Sequence, residues 1–184
     1  WIIHNAANGA MGKTLAMLAA ARGVNTINLV RSKDAIEELT SLGIKNNVVT
    51  ADDDWKDQVR AIIGDDKITA AVDSVGGESS NELLSLLGSK GTLVSFGIMS
   101  GKPMALDAGS LIFKQATVKG FWGSKTSQEM DLDNKQRLIT ELLERASNGD
   151  LKLPIEAIYS LDDITTAVSG KVQSSKKGKV ILKP

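Results

Sequence analysis

The chain has 184 residues, which is enough for one domain with a hydrophobic core. Its 22 basic and 22 acidic residues cancel, so no basic field suggests binding to nucleic acid. The lack of cysteine excludes disulfides and thiol chemistry, and a single histidine leaves little material for a metal site. No apolar run is as long as a transmembrane helix, so we expect no membrane partner.

The first twelve residues, WIIHNAANGAMG, combine a short apolar strand with a turn of Asn, Ala and Gly. A run of strong helix formers follows at 13–22. This order of strand, small-residue turn and helix presents free backbone N–H groups and a helix dipole to a phosphate. Gly9 and Gly12 have the spacing of the dinucleotide-binding fingerprint, with Ala7 where its first glycine is usual. Gly9 would let the backbone approach a pyrophosphate, and Gly12 would let the helix pack close to the strand.

Apolar runs and helix-forming runs alternate along the rest of the chain. The predicted strands after the first are 26–30, 47–50, 68–72, 91–96, 116–121, 154–159 and 179–182. The predicted helices after the first are 34–42, a helix running from the aspartates at 52–54 to residue 63, 80–87, a short helix at 111–114, 135–147 and 162–168. This alternation predicts an α/β fold of the Rossmann type, a doubly wound parallel six-stranded sheet with helices on both faces. We expect residues 1–150 to form the nucleotide-binding domain and residues 151–184 to form a C-terminal tail.

Two local patterns concern helix starts. Three aspartates at 52–54 suggest a metal site, but at a helix N-terminus they are more simply explained as caps and dipole partners. Ser160-x-x-Asp163 predicts a capping box at the start of the last helix. The polar stretch 169–179 that follows this helix is expected to be exposed.

The glycine turn also fits a second phosphate-binding pattern. Ala7-x-x-x-x-Gly12-Lys13-Thr14 is one substitution from the P-loop, in which Lys13 would bind phosphates and Thr14 would bind magnesium. Asp73, which follows a buried apolar strand, matches the acidic residue on the magnesium side. This pattern would indicate a P-loop nucleotide hydrolase.

Arg31 favours the dinucleotide pattern over the P-loop. It stands at the end of the second predicted strand, 19 residues after Gly12, where a dinucleotide-binding fold meets the adenine ribose. An acidic residue there favours NAD, whereas an arginine can form charge-assisted hydrogen bonds to a 2′-phosphate. Ser32 and Lys33 add further donors. The sequence therefore predicts NADP(H) as the cofactor.

Several stretches together resemble the cofactor domain of the medium-chain dehydrogenase/reductase superfamily. Within it, the chain is similar to the mitochondrial-type trans-2-enoyl-CoA (2-enoyl thioester) reductases and to NADPH quinone-oxidoreductase-like proteins. The resembling stretches follow the family's order along the whole chain: NAANGAMG at 5–12, TINLVR at 26–31, VGGESSNELL at 75–84, GTLVSFGIM at 91–99, LIFK at 111–114 and GFW at 120–122.

This resemblance implies a set of cofactor contacts and no catalytic or metal-binding residue within the chain. The pyrophosphate turn would be formed by Asn8, Gly9, Ala10, Met11 and Gly12. The 2′-phosphate would be held by Arg31, Ser32 and Lys33. The nicotinamide side would be lined by Phe96, Gly97, Ile98, Met99, Phe121, Trp122 and Gly123. A further contact, before the last strand, would be Lys179.

The resemblance also implies the activity of a longer parent protein. In such enzymes NADPH delivers hydride to the β-carbon of an activated double bond, and a tyrosine of an N-terminal catalytic domain is implicated in protonation. We expect that domain to precede Trp1, because the chain begins without methionine inside an apolar strand. Tyr159, the only tyrosine, does not match. The tail would pack on that domain, and the fragment alone would be inactive.

The same resemblance implies the substrate and the partners. The small-molecule substrate would be an enoyl thioester or, as the alternative, a quinone, and a homodimer would form through the edge of the sixth strand. Zinc ligands of the zinc-binding members come from the part of the protein outside this chain. We expect a cytoplasmic location of the bacterial type, with the mitochondrial matrix as the alternative. A nucleotide-binding module without chemistry of its own is a third interpretation.

Overall fold

A parallel six-stranded sheet forms the body of the protein. The structure, a computed structural model, describes residues 1–169 and 178–184. The strands of the main sheet are β1 Ile2–His4, β2 Thr26–Val30, β3 Asn47–Val49, β4 Ala70–Asp73, β5 Thr92–Ser95 and β6 Thr117–Gly120. Their order is β3-β2-β1-β4-β5-β6, and every neighbouring pair is parallel. The Rossmann-type fold class predicted from the sequence is confirmed.

The strand order reverses between β1 and β4. Both strands lie at the centre of the sheet, where Ile3 is in register with Ile27 on one side and with Ala71 on the other. In open α/β sheets, the carboxyl ends of the strands at such a switch point border a crevice that takes ligands.

Eight α-helices occur in the part of the chain that the structure describes. They are α1 Ala10–Ala21, α2 Asp34–Ser41, α3 Trp55–Ile63, α4 Glu78–Leu86, α5 Ala108–Phe113, α6 Gly123–Glu129, α7 Leu132–Ser147 and α8 Ile164–Ser169. None of these described helices is long and apolar enough to cross a membrane.

Two separate hydrophobic clusters show that helices cover both faces of the sheet. The larger one packs Trp55 of α3 and Leu83 of α4 against Ile3 and Leu93 of the strands. The second packs apolar residues of α1 and α2, including Met17 and Leu39, on the other face. Strands buried on both faces are typical of parallel sheets, and they read as continuous apolar runs in the sequence.

The ends of α1 and α2 follow the glycine signals. Gly23 has a φ of +70°, its N–H donates to the carbonyl of Ala20, and the next N–H, of Val24, donates to that of Ala19. This is the Schellman arrangement, in which glycine accepts the left-handed backbone that closes a helix. Gly43 ends α2 in the same way, with a φ of +80°.

Several helix starts differ from the prediction. The first helix begins at Ala10, three residues before the predicted start, because the glycine turn itself forms its first helical turn. Helix α6 was not predicted, since GSKTSQE carries no apolar stripe. Asp54 does occupy the N-cap position of α3, but its carboxylate accepts from the Gln58 side chain instead of capping the backbone.

The tail forms a small unit of its own. Strands β7 Ile155–Ser160 and β8 Lys179–Lys183 make a second, parallel two-stranded sheet. The predicted capping box is wrong in detail: the Ser160 hydroxyl donates to the Asp163 carboxylate over 2.8 Å and caps no backbone N–H. Most of the polar stretch predicted to be exposed, residues 170–177, lies outside the described residues.

Candidate functional site

The turn after β1 leads directly into α1, whose first turn has no side-chain cap. Gly9 occupies the N-cap position with an extended backbone, φ −72° and ψ 163°, and has no side chain to accept a hydrogen bond. The N–H groups of a first helical turn have no partner within the helix, and the first turn of α1 contains no acidic residue. The start of α1 is therefore positively polarised and suited to an anion.

Close packing between the turn and α1 explains the small residues there. Ala6 has a positive φ of 50°, and the N–H of Gly9 donates to its carbonyl over 3.0 Å. A Cβ atom at Gly12 would lie 2.6 Å from Cα of Ala7, so only glycine allows this approach of helix and turn. The packing predicted for Gly12 is thus present, while its contact with a cofactor stays a prediction.

A cavity of about 460 Å³ opens at the carboxyl edge of the sheet. It lies at the switch point between β1 and β4, the place where a dinucleotide-binding fold holds its cofactor. Three of the predicted site residues line it, namely Asn8, Arg31 and Met99. The rest of its wall is formed by Asn5, Ala6, Leu29, Val30, Thr50, Val75, Ser79, Glu82 and Ser100.

A buried carboxylate fixes one wall of this cavity. Asp73, at the end of β4, is fully buried and accepts from the Asn5 amide at 2.7 Å and the Ser80 hydroxyl at 2.5 Å. The N–H groups of Val75 and Gly76 donate to it at 2.8 and 3.0 Å. Burial alone raises the pKa of Asp73, but these hydrogen bonds outweigh burial and hold the pKa below its ordinary value. The charged Asp73 therefore ties the β4–α4 loop to the end of β1.

The opposite wall is solvent-exposed. Arg31, Ser32 and Lys33 connect β2 to α2, and all three are exposed. Arg31 lines the cavity, whereas the Nζ atom of Lys33 lies 3.4 Å from Oδ1 of Asp52. The structure thus places Arg31 at the cavity and gives Lys33 an acidic neighbour that was not predicted. The contact of these residues with a 2′-phosphate stays a prediction.

The residues predicted for the nicotinamide side lie in two different places. Met99 lines the large cavity, while Phe96 and Phe121 line a separate apolar cavity of about 150 Å³ together with Met11. Neither of these two cavities is lined by the other predicted residues, Gly97, Ile98, Trp122 and Gly123.

Packing explains part of this division. A Cβ atom at Gly97 would lie 2.5 Å from the carbonyl oxygen of Ser74, so glycine is required there to let the loops after β4 and β5 meet. The N–H of Met99 donates to that same carbonyl over 3.1 Å. Trp122 is 70 % exposed at the N-cap of α6 and lies outside both cavities.

A third cavity, of about 160 Å³, brings the tail to the glycine turn. Asn8, Gly9 and Ala10 line it from the turn, and Gly178 and Lys179 line it from the tail. Lys179 therefore lies beside the predicted pyrophosphate turn. Its contact with a cofactor stays a prediction.

The side chains needed by a P-loop are engaged elsewhere. Lys13 is buried, and its ammonium group pairs with the Glu38 carboxylate of α2. The Thr14 hydroxyl donates to the carbonyl of Ala10 over 2.9 Å. Asp73 accepts from Val75 and Gly76 of the loop after β4, from Ser80 of α4 and from Asn5. The geometry does not support the P-loop interpretation.

Sequence reasoning missed most of the polar residues that shape the large cavity. Asn5 directly follows the first strand and Thr50 follows β3, so both could have been found by asking which residues end the parallel strands. Ser79 and Glu82 belong to α4, where no sequence signal distinguishes them from ordinary surface residues.

Comparison with known proteins identifies the family. The sequence profile of the family described as zinc-binding dehydrogenase matches residues 10–139. The chain belongs to the zinc-binding dehydrogenase family. The resemblance to the medium-chain dehydrogenase/reductase superfamily, to which this family belongs, is thereby confirmed, and the oxidoreductase class with it.

The chain is similar to enoyl reductases and to a quinone reductase. The mitochondrial enoyl-[acyl-carrier-protein] reductase of Bos taurus is 34 % identical over 186 residues, which cover 98 % of the chain and 50 % of that protein. A crystal structure assigned as an NADPH:quinone reductase of Bacillus thuringiensis is 25 % identical, with a TM-score of 0.86. The match covers 100 % of the present chain and 56 % of the chain in that crystal structure.

A third comparison shows the fold. The mitochondrial 2-enoyl thioester reductase heterodimer of Candida tropicalis has a TM-score of 0.82 at 22 % identity. The match covers 100 % of the present chain and 54 % of the chain in that structure. The chain spans about half the length of the relatives it matches.

The family description mentions zinc, but the described residues do not fit a zinc site. They contain no group of three or more His, Cys, Asp or Glu side chains that could hold a metal ion. His4 is buried, and its Nε2 atom shares a hydrogen bond of 2.7 Å with Oδ1 of Asn28. Burial also lowers the pKa of His4, although the bonds to Asn28 and Asn5 act in the other direction. We therefore assign no metal chemistry to these residues.

Proposed function

We propose that the chain is the NADPH-binding part of an oxidoreductase that transfers hydride to the activated double bond of a 2-enoyl thioester. The observation that carries this proposal is the uncapped start of α1, which stands at the switch-point cavity with Arg31 in the opposite wall. A bound NADPH would supply the hydride. The chain's own residues bind and orient the cofactor: the first turn of α1 holds the pyrophosphate, and Arg31, Ser32 and Lys33 hold the 2′-phosphate.

The substrate class is supported by the relatives. The Bos taurus relative is named an enoyl-[acyl-carrier-protein] reductase and matches nearly the whole chain. A second candidate is an NADPH:quinone reductase, which the Bacillus thuringiensis structure favours. Assays of the parent protein with a crotonyl-type thioester and with a quinone, both followed by NADPH oxidation, separate the two activities.

The location in the cell is best proposed from the same relatives. The matched enoyl reductases are named mitochondrial, so we favour the mitochondrial matrix over the bacterial type of cytoplasm that the sequence analysis put first. Fractionation of cells that express the parent protein with a tag tests this proposal.

We further propose that the tail from residue 151 packs on a catalytic domain that this chain does not contain. Its two-stranded sheet is small, and parallel strands are normally covered on both faces. Large apolar side chains are exposed along it, as they are on α7: Leu132, Ile139, Leu142, Leu143, Leu153, Ile155, Ile158, Leu161, Ile164 and Ile181. Exposed apolar surface of this extent marks an interaction site.

This division of labour predicts that residues 1–184 alone will not reduce an enoyl thioester at a useful rate. Hydride transfer needs donor and acceptor at near-attack distance, and a cofactor-binding part alone does not hold the acceptor. NADPH oxidation with crotonyl-type thioesters should stay near background and should return in the parent protein. Robust turnover by the chain alone would show that we have misplaced the catalytic groups.

The sixth strand supports a symmetric dimer. Strand β6 is an edge of the main sheet and largely exposed, and exposed edges are usually paired or covered. The N–H groups of Thr117 and Phe121 donate inward to β5, so those of Val118 and Gly120 face the free edge. Gly120→Pro removes one outward donor and should weaken dimerisation in sedimentation experiments. A monomer at high concentration, in both the chain and its parent, would contradict the dimer.

A further inference from the structure

The cationic loop that follows β2 carries an ion pair that no cofactor pattern explains. Asp52 forms an ion pair with Lys33, whose Nζ atom lies 3.4 Å from Oδ1 of Asp52. The side chains are 32 % and 77 % exposed, respectively. Lys33 is one of the three residues proposed to bind the 2′-phosphate, so the acidic partner stands at the edge of that site.

The backbone fixes Asp52 in this position. The N–H of Thr50 donates to the carbonyl of Val30 over 2.8 Å, and the Thr50 hydroxyl donates to the same carbonyl over 3.2 Å. These bonds hold the end of β3 against the end of β2, one residue before Arg31. The N–H of Asp52 donates to the carbonyl of Val49, which turns the chain so that its carboxylate faces Lys33.

This arrangement places a carboxylate close to any phosphate that Lys33 binds. A charge-assisted N–H···O bond is about 2.7–2.9 Å long, so a phosphate oxygen on Lys33 would lie within about 6.5 Å of Asp52. A 2′-phosphate carries about 1.5 to 2 negative charges at neutral pH. Asp52 repels this phosphate and competes with it for the Lys33 ammonium group. The neutral 2′-hydroxyl of NADH is not repelled and does not compete for that ammonium group.

We propose that Asp52 is a specificity-determining residue that limits the preference of this chain for NADPH over NADH. This inference rests on the proposed function, because it assumes that Arg31, Ser32 and Lys33 hold the 2′-phosphate. Asp52 opposes the dianion and occupies Lys33 in the free protein. The net preference is the attraction of Arg31 and Lys33 reduced by the Asp52 carboxylate.

The test compares Asp52→Asn with Asp53→Asn by calorimetric titration of both cofactors. Asp53 is the neighbouring exposed carboxylate, and no ion pair involving it occurs among the described residues, so its substitution removes the same charge without freeing Lys33. Asp52→Asn should tighten NADPH binding about threefold to fivefold at low ionic strength and leave NADH binding within about twofold. Asp53→Asn should have a smaller effect on NADPH. Near 1 M salt, where charges are screened within about 3 Å, the gain should disappear.

The outcomes separate this inference from the proposed function. If neither the unaltered chain nor Asp52→Asn binds NADPH more tightly than NADH, the proposed 2′-phosphate site is wrong. If the unaltered chain prefers NADPH but Asp52→Asn leaves NADPH binding unchanged, or weakens it, then the carboxylate does not limit the preference and this inference is overturned. Asp52→Asn is expected to fold normally because the ion pair is exposed, and an unchanged melting temperature checks this.

Discussion

The two walls of the large cavity are built in opposite ways. On the wall formed by β1 and β4, Asn5, Asp73 and Ser80 are buried and bonded to one another. On the wall formed by the loop from Arg31 to Lys33, the side chains are exposed, and the ion pair of Lys33 with Asp52 is open to solvent. Buried side-chain hydrogen bonds fix the first wall, whereas backbone hydrogen bonds mainly fix the second.

This difference suggests a division of roles. A buried network that fixes the glycine turn and the β4–α4 loop sets the shape of the cavity, which is the same for NADH and NADPH. An exposed cationic loop adds little to folding but meets the one group in which the two cofactors differ. Variants of the buried wall should therefore alter stability and both affinities, and variants of the exposed wall should alter only the preference.

The largest effect is expected from Asp73→Ala. The substitution leaves the Asn5 amide, the Ser80 hydroxyl and two backbone N–H groups without their acceptor. Three of these four hydrogen bonds are buried, and each unsatisfied buried donor costs about 1–3 kcal/mol, so the free energy of unfolding should fall by at least about 3 kcal/mol. Urea unfolding measures the loss, and titration should show NADH and NADPH weakened alike.

A neighbouring serine provides the control. Ser79 is only partly buried, and its hydroxyl accepts one bond, 3.0 Å long, from the Asn5 amide. Ser79→Ala should cost less than about 1.5 kcal/mol. A loss of under 1 kcal/mol for Asp73→Ala, about as small as that of the control, would show that the buried network does not hold this wall.

Acid should release the same wall. The folded-state pKa of Asp73 lies below its ordinary value of about 3.9, because hydrogen bonds from Ser80, Asn5, Gly76 and Val75 outweigh burial. Its contribution to stability is therefore complete above about pH 4 and is lost as the pH falls through the folded-state pKa. Urea unfolding between about pH 2.5 and pH 7 should show a steeper acid loss in the unaltered chain than in Asp73→Asn. Parallel curves for the two proteins would contradict this assignment.

The structure of the buried wall could be predicted only in part from the sequence. The alternation of strand and helix predicted the parallel sheet, and the glycine turn predicted a phosphate-binding turn after the first strand. The contact of Asn5 with Asp73 joins residues 68 positions apart, and nothing local distinguishes their side chains from those of other strand ends. The sequence analysis did single out Asp73, but it matched Asp73 to the acidic residue of a P-loop. The sequence does not show which hydrogen-bond donors surround this carboxylate.

The exposed wall was predicted better because its information is local. Arg31 was placed by its distance from Gly12 along the chain, and it does line the cavity. What the sequence missed there is the pairing of Lys33 with Asp52, which depends on where β3 ends. The sequence also did not show that α6, a helix without an apolar stripe, begins immediately after Trp122 and leaves it exposed outside the two cavities. Its contact with a cofactor stays a prediction.

Arg31→Ala should have the next largest effect, confined to one cofactor. Loss of a charge-assisted contact to the 2′-phosphate should cost about 1.5 to 3 kcal/mol of NADPH binding and leave NADH binding and the free energy of unfolding nearly unchanged. Calorimetric titration with both cofactors measures the difference. Arg60→Ala removes an exposed arginine whose ion pair among the described residues is with its helix neighbour Asp57, and it should change neither affinity. Equal losses for NADH and NADPH would remove Arg31 from the 2′-phosphate site.

The smallest effect is expected from Lys33→Met. Its ammonium group is exposed and already paired with Asp52, so a 2′-phosphate gains from Lys33 only what remains after competition with that carboxylate. We expect a loss of about 0.5 to 1 kcal/mol of NADPH binding and no change for NADH, the range typical of exposed charge pairs. Lys45 lies just before β3, at the amino ends of the strands and far from the cavity. Lys45→Met removes the same charge there and is the control for net charge. A loss as large as that of Arg31→Ala would mean that Lys33 is the principal phosphate contact and that the pairing with Asp52 is broken whenever the cofactor binds.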